Sequence, residues 1–120
     1  MKQWKVEFHD DFLPEFLVFS ESVRRQTYSL IEVLVAFGPQ LGRPRVDTLK
    51  GSKHSNMKEL RFRADDGAWR IAFDSKRQAI LLVGGDKSGG SESKFYRELI
   101  QTAERRLDQH ERSIAKRESE

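Results

Sequence analysis

Apolar and polar residues alternate from Trp4 to Phe8 (Trp4-Lys5-Val6-Glu7-Phe8), the period of a half-buried strand. His9-Asp10-Asp11 ends the alternation, and either aspartate can cap a helix. The period then lengthens. Phe12, Phe16 and Phe19, with Leu13 and Leu17, form an apolar face at helical spacing, and Pro14 is acceptable in a first helical turn. Val23, Thr27, Leu30, Ile31, Leu34 and Val35 recur at three and four residues, which leaves Arg24, Arg25 and Glu32 toward water. Ser20 or Ser22 restarts or kinks the helix, and Gly38-Pro39 stops it. The pattern predicts a helical hairpin, or one broken helix, over residues 11–37.

Beyond a loop with Gly42 and Pro44 the strand period returns. Val46 to Leu49 fits a short strand, and residues 51–56 are polar and loop-like. From Met57 to Ala64, Leu60 and Phe62 take one face while Glu59, Arg61 and Arg63 take the other. Asp65-Asp66-Gly67 reads as a hairpin turn. Trp69, Ile71 and Phe73 alternate with Arg70 and Ala72, and Ala79 to Val83 is a continuous apolar run, hence a central strand. Gly84-Gly85 is expected to end it. A Gly/Ser-rich loop carrying Lys87 leads to a last helix from Lys94, with Phe95, Leu99, Ala103 and Leu107 on its apolar face. The expected fold is α+β: an N-terminal strand, a helical hairpin, a three- to four-stranded antiparallel twisted sheet and a C-terminal helix, the helices packed on one face. Residues 1–111 form the single domain, and 112–120 are expected to be a flexible charged tail.

Composition narrows the chemistry. The 120 residues carry 22 Lys and Arg against 19 Asp and Glu, a net charge of only +3, so clustering matters more than the total. The cations do cluster, between Arg43 and Arg77. The absence of cysteine removes disulfides and thiol nucleophiles, and fits a cytoplasmic location. No signal-type segment opens the chain, and no run approaches the roughly 20 apolar residues of a membrane span. His9, His54 and His110 are scattered and form no metal-ligand pattern, so neither metal nor cofactor is expected.

The segment from Leu49 to Arg70 places Lys50, Lys53, His54, Lys58, Arg61, Arg63 and Arg70 in a region that reads as sheet. Fixed cations on a sheet suit a polyanion such as RNA. Five pieces follow in order. They are Leu49-Lys50-Gly51, Lys58-Glu59-Leu60-Arg61, the run from Gly67 to Phe73, the run from Ile80 to Lys87, and Phe95-Tyr96 opening a helix that holds Ala103. In this order and spacing the chain resembles the RelE/ParE superfamily of type II toxins, and within it the HigB-like, phage-derived Gp49-like branch. The resemblance covers nearly the whole chain. It implies a metal-independent endoribonuclease that cuts mRNA on the translating ribosome, neutralised by a cognate antitoxin of helix-turn-helix type. The superfamily also holds gyrase poisons of the ParE type, and a non-catalytic RNA-binding module on a similar scaffold is a third reading. The chain departs from the family pattern at one corner. Many relatives carry two adjacent basic residues after the last strand, whereas here Lys87 is followed by Ser88-Gly89-Gly90.

Metal-free RNA cleavage needs a group to take the 2′-hydroxyl proton, a group to protonate the leaving 5′-oxygen, and cations for the charge on phosphorus. Arg70, mid-strand between Trp69 and Ile71, is the first choice for gripping phosphate; the plain alternative is an arginine paired with Glu59 or an aspartate. Lys87 suits phosphate binding or proton donation, or else pairs with Asp86. Arg61, His54 and Tyr96 complete the catalytic candidates: Arg61 as a backbone contact, His54 as a base of suitable pKa, Tyr96 as a stacking or orienting ring. Lys50, Lys53, Lys58 and Arg63 are candidate contacts to RNA or the ribosome, or solvated side chains.

Overall fold

The computed structural model describes residues 3–119. Strand β1 (Val6–Phe8) leads into helix α1 (Phe12–Leu17) and helix α2 (Glu21–Phe37). The sheet continues with β2 (Val46–Thr48), β3 (Met57–Ala64), β4 (Gly67–Asp74) and β5 (Ala79–Asp86), and helix α3 (Glu92–Glu118) closes the chain. The order across the sheet is β1-β5-β4-β3-β2. Strands β2 to β5 are the antiparallel set that the alternation predicts, and β1 joins β5 as a parallel edge, with Val6 opposite Ala79.

Local chemistry sets the boundaries. Ser20 separates α1 from α2 and caps the latter, its hydroxyl accepting from the Val23 amide at 3.2 Å. Gly38, at φ +75°, ends α2 in a conformation that disfavours a side chain. Asp65 and Asp66 both have positive φ (52° and 60°), the geometry of the two-residue turn that follows the twist of a hairpin. Ser91 caps α3, so the helix starts at Glu92, two residues before the expected Lys94. It continues to Glu118, through the segment expected to be a charged tail.

Two expectations are corrected. The helices do not share one face. Phe12, Phe16, Leu30 and Leu34 of α1 and α2 pack with Leu60, Ile71, Phe73 and Leu81 on one side. Leu99, Ala103 and Leu107 of α3 pack with Met57, Ala72, Ile80 and Leu82 on the other. The sheet is therefore a middle layer, which is why β4 and the first half of β5 are buried on both faces. Nor do Gly84 and Gly85 end β5. The strand runs through them to Asp86, paired with Ile71, Arg70 and Trp69.

A β-bulge interrupts this last pairing. Phe73 faces Leu81 and Ala72 faces Val83, so Leu82 is an extra residue on β5. Its carbonyl accepts a hydrogen bond at 2.8 Å from Nη1 of Arg106 on α3, which is buried. The same guanidinium makes two hydrogen bonds to the carboxylate of Glu15 on α1. One arginine thus satisfies the bulge and joins the two helical layers.

Candidate active site

The strand register sorts the cations. Side chains alternate between faces, so residues two apart share a face and lie about 7 Å apart along the strand. On the α3 face, Arg63, Ala68 and Lys87 form one row across β3, β4 and the end of β5, with the Lys87 amide bonded to the Ala68 carbonyl. Arg61, Arg70 and Gly85 form the next row, and Glu59, Ala72 and Val83 the third. Strand β2 adds Asp47 beside Glu59. The bulge at Leu82 is what puts Gly85 and Lys87 on this side. Ile80 already faces α3, so without the extra residue the alternation would turn both toward α1 and α2.

Arg61 and Arg70 are directly opposite one another, an arrangement of like charges that would be unfavourable alone. Glu59 offsets it. Its side chain, only 4% exposed, accepts hydrogen bonds from Arg61 Nη1 at 3.1 Å and from the Tyr96 hydroxyl at 2.9 Å. Arg70 Nε lies 3.9 Å from the same carboxylate and donates to the Tyr96 oxygen at 3.3 Å. A further bond from Arg70 Nη1 to the Trp69 carbonyl, at 2.9 Å, fixes the guanidinium plane. Arg70 is 6% exposed, so its direction is set by packing as well as by charge. Among the described residues Nη2 of Arg70 donates no hydrogen bond. Burial, and then the Glu59 carboxylate it donates to, hold the Tyr96 phenol above the ordinary tyrosine range, so at neutral pH it is a hydrogen-bond donor.

Tyr96 comes from the first turns of α3. Phe95 beside it lies over Gly85, where an added Cβ would stand 3.1 Å from the ring. The missing side chain at Gly85 lets α3 approach the row of Arg61 and Arg70. Lys87 reaches back to Glu92 of α3 at 3.3 Å, and not to Asp86, whose carboxylate is held by the Ala68 amide and by Ser88. Those bonds, the Ser88 hydroxyl first, keep the Asp86 carboxyl below its usual range.

The other candidates separate. Lys50 joins the cluster, lining a cleft of about 200 Å³ with Asp47, Thr48, Leu49, Glu59 and Tyr96. His54 and Lys53 do not. His54 Nε2 lies 3.1 Å from Asp108, and Lys53 Nζ contacts the same carboxylate at 3.1 Å. Asp108 is twelve residues beyond Tyr96 on α3, about 18 Å along the helix axis. Lys58 pairs with Phe73, whose ring packs against α1 and α2, so it leaves the sheet on the opposite face from Arg70. Asp47 and Glu92 were missed from sequence, and Glu59 entered only as an alternative partner for Arg70, a pairing the structure shows at 3.9 Å. Glu59 had a signal: it is an acid inside an otherwise apolar and basic strand, on the same face as Arg61.

Residues 14–108 match the family described as "Phage derived protein Gp49-like". The chain belongs to this family. Two relatives from Mycobacterium tuberculosis (strain ATCC 25618 / H37Rv) are similar to this Gp49-like chain. The protein named "Putative toxin HigB2" is 45% identical over 94 residues, covering 72% of this chain and 46% of that protein. The protein named "Putative toxin HigB3" is 43% identical over 74 residues, covering 62% of this chain and 65% of that protein. The chain thus spans less than two thirds of the length of either relative. No solved structure matches it. The Gp49-like match begins after β1 and ends at Asp108, so it contains every residue of the cluster from Asp47 to Tyr96.

In this Gp49-like chain the cluster combines a buried, plane-fixed guanidinium, two flanking arginines, a lysine at a glycine-rich loop and a protonated phenol. Such a set can bind phosphate in a bidentate way, supply charge to a developing dianion, and donate protons.

Proposed function

We propose that this chain is the toxin of a type II toxin–antitoxin system and that it arrests translation by cutting mRNA held on the ribosome. The observation that carries this reading is the convergence of Arg61, Arg63, Arg70 and Lys87 on one sheet face with Tyr96 hydrogen-bonded to Arg70. Kinship with proteins named as HigB toxins supports the toxin role. In the proposed reaction the 2′-oxygen of the substrate attacks phosphorus as its proton passes to a solvent water, and the bond to the 5′-oxygen breaks. The products are a 2′,3′-cyclic phosphate and a 5′-hydroxyl end.

Arg70 clamps the phosphate, and Arg61 adds charge for the phosphorane. Tyr96 donates a hydrogen bond to it, and Lys87, at the mouth of the loop, protonates the departing 5′-oxygen. Arg63 and Lys50 steer the strand by its backbone charge. His54, Lys53 and Lys58 lie outside this chemistry and are left as contacts to the ribosome. A cognate antitoxin of helix-turn-helix type would neutralise the toxin by covering the Arg61–Arg70 face or displacing α3 near Tyr96. A complex in which it touches neither region refutes that placement.

The test is induction in a bacterial host without antitoxin, beside the double variant Arg70→Ala/Lys87→Ala, with transcriptome-wide mapping of mRNA 5′ ends. New ends inside translated regions, absent in the double variant, support the reading. Arrest without new ends, accompanied by a DNA-damage response, overturns it in favour of gyrase.

A further inference from the structure

Glu59 sits where a phosphate-binding face should have no acid. Its carboxylate is bonded to Arg61 and to Tyr96 and lies 3.9 Å from Arg70. At 4% exposure it lies at the floor of the cleft that Lys50 and Tyr96 also line, with its carboxylate engaged by the groups it holds. A phosphodiester arriving at Arg61 and Arg70 therefore finds their charge already shared with an internal anion. A singly charged diester competes with that anion on even terms, whereas a phosphorane carrying two negative charges competes at an advantage. Only interactions stronger in the transition state than in the ground state accelerate a reaction.

We propose that Glu59 is a positioning residue that stands in for phosphate: it keeps Arg61, Arg70 and Tyr96 assembled before RNA arrives, and it weakens the grip on unreacted RNA more than the grip on the transition state. The inference about the transition state rests on the nuclease reading above; the effect on RNA binding does not. The neighbours fit this role. Asp47 lies 3.7 Å from Arg61, so Arg61 keeps a second acidic partner when it turns to phosphate. Arg70, by contrast, has Glu59 as its only ion-pair partner among the described residues. The phenol links the two sides of the switch, donating to Glu59 while accepting from Arg70.

The experiment uses the full chain and Glu59→Gln, both carrying Tyr28→Phe so that Tyr96 is the sole phenol. Binding of a single-stranded 2′-O-methyl RNA, which cannot be cut, is read by fluorescence anisotropy. Phenol ionisation is read by ultraviolet absorbance, and mRNA cleavage in a ribosome-containing extract. Glu59→Gln is expected to bind RNA about tenfold more tightly, as befits removal of one like charge a few ångströms away. Its phenol should ionise at lower pH, and its cleavage should slow, so that affinity and turnover move in opposite directions. Glu59→Asp, which keeps the charge, should bind RNA like the parent. Glu59→Met replaces the amide variant if that does not fold, with the same expected rise in affinity. Unchanged or weaker RNA binding by the charge-free variant, or a Tyr96 titration that does not move, overturns the proposal. If the parent chain cuts no mRNA, the nuclease reading fails alone, because the binding and titration results still decide the role of Glu59.

Discussion

Removing the guanidinium of Arg106 tests the packing argument most directly. In Arg106→Ala the carbonyl of the bulged Leu82 loses its donor in a buried setting, a loss of about 1–3 kcal/mol. The two bonds to Glu15 go as well, but the Glu15 side chain is 46% exposed, so that pair is discounted for solvent to about 0.5–1 kcal/mol. The expected total is about 1.5–4 kcal/mol, or a fall in Tm of about 6–16 °C for a chain of this size. Glu15→Gln is the companion variant. It leaves the Leu82 bond intact and is expected to lose no more than about 1 kcal/mol.

Acid separates the two contributions. The bonds from Arg106 hold the Glu15 carboxyl below its ordinary value of 4.5. Its contribution is therefore complete above the unfolded pKa and disappears as pH falls through the lower folded value. The difference between wild type and Glu15→Gln should close in that window, while the Arg106→Ala deficit persists through the stranded carbonyl. Urea unfolding at neutral and acid pH measures both. A deficit for Arg106→Ala below about 0.5 kcal/mol, or equal deficits for the two variants at neutral pH, would refute the reasoning.

Three further outcomes are expected. Arg70→Ala should lower the rate of mRNA cleavage in a translating extract by about 10²–10³-fold through lost charge stabilisation, while His54→Ala stays close to wild type; equal losses would place His54 in the chemistry after all. Asp74 is buried, and burial raises its carboxyl pKa. Its ionisation therefore opposes folding as pH rises through the raised value, so Asp74→Asn should gain about 0.5–1 kcal/mol at neutral pH and nothing in acid, by urea unfolding. Gly85→Ala should push Phe95 outward and loosen α3 over the cluster, read as a drop in Tm and faster amide exchange in residues 92–98.

Much of this was legible from periodicity. The step from period two to period 3.6 after His9 marks α1, Ser20 and Gly38 bound α2, and the paired aspartates mark the hairpin. The face shared by Glu59, Arg61 and Arg63 follows from alternation alone. The placement of the helices was harder to see. Phe12 to Val35 and Phe95 to Leu107 each show an apolar stripe, and a stripe does not say which side of a sheet it covers. The clue lay in the unbroken run Ala79–Val83, which has no face left for water. Gly84 and Gly85 read as a terminator because glycine often ends strands; here each is small because Ile71 and Phe95 press against it. At the candidate site, the cations on strands could be assigned to a face, but those on the loop could not. Nothing in the spacing of Lys53 and His54 foretells that Asp108, more than fifty residues later, holds them both. Glu59 drew attention only as a possible partner for Arg70, because a single acid among bases looks like a counter-ion until its burial is known.

The extra residue at Leu82 behaves like a reading frame for everything downstream of it in β5. Substitutions can alter what Lys87 is, but a single deletion before it would alter which half of the molecule it belongs to, carrying the lysine away from Arg70 without changing one residue of the cluster. Loss of function in this fold can therefore arise from a gap of one residue at an apolar position, where an inventory of charged side chains would find nothing missing.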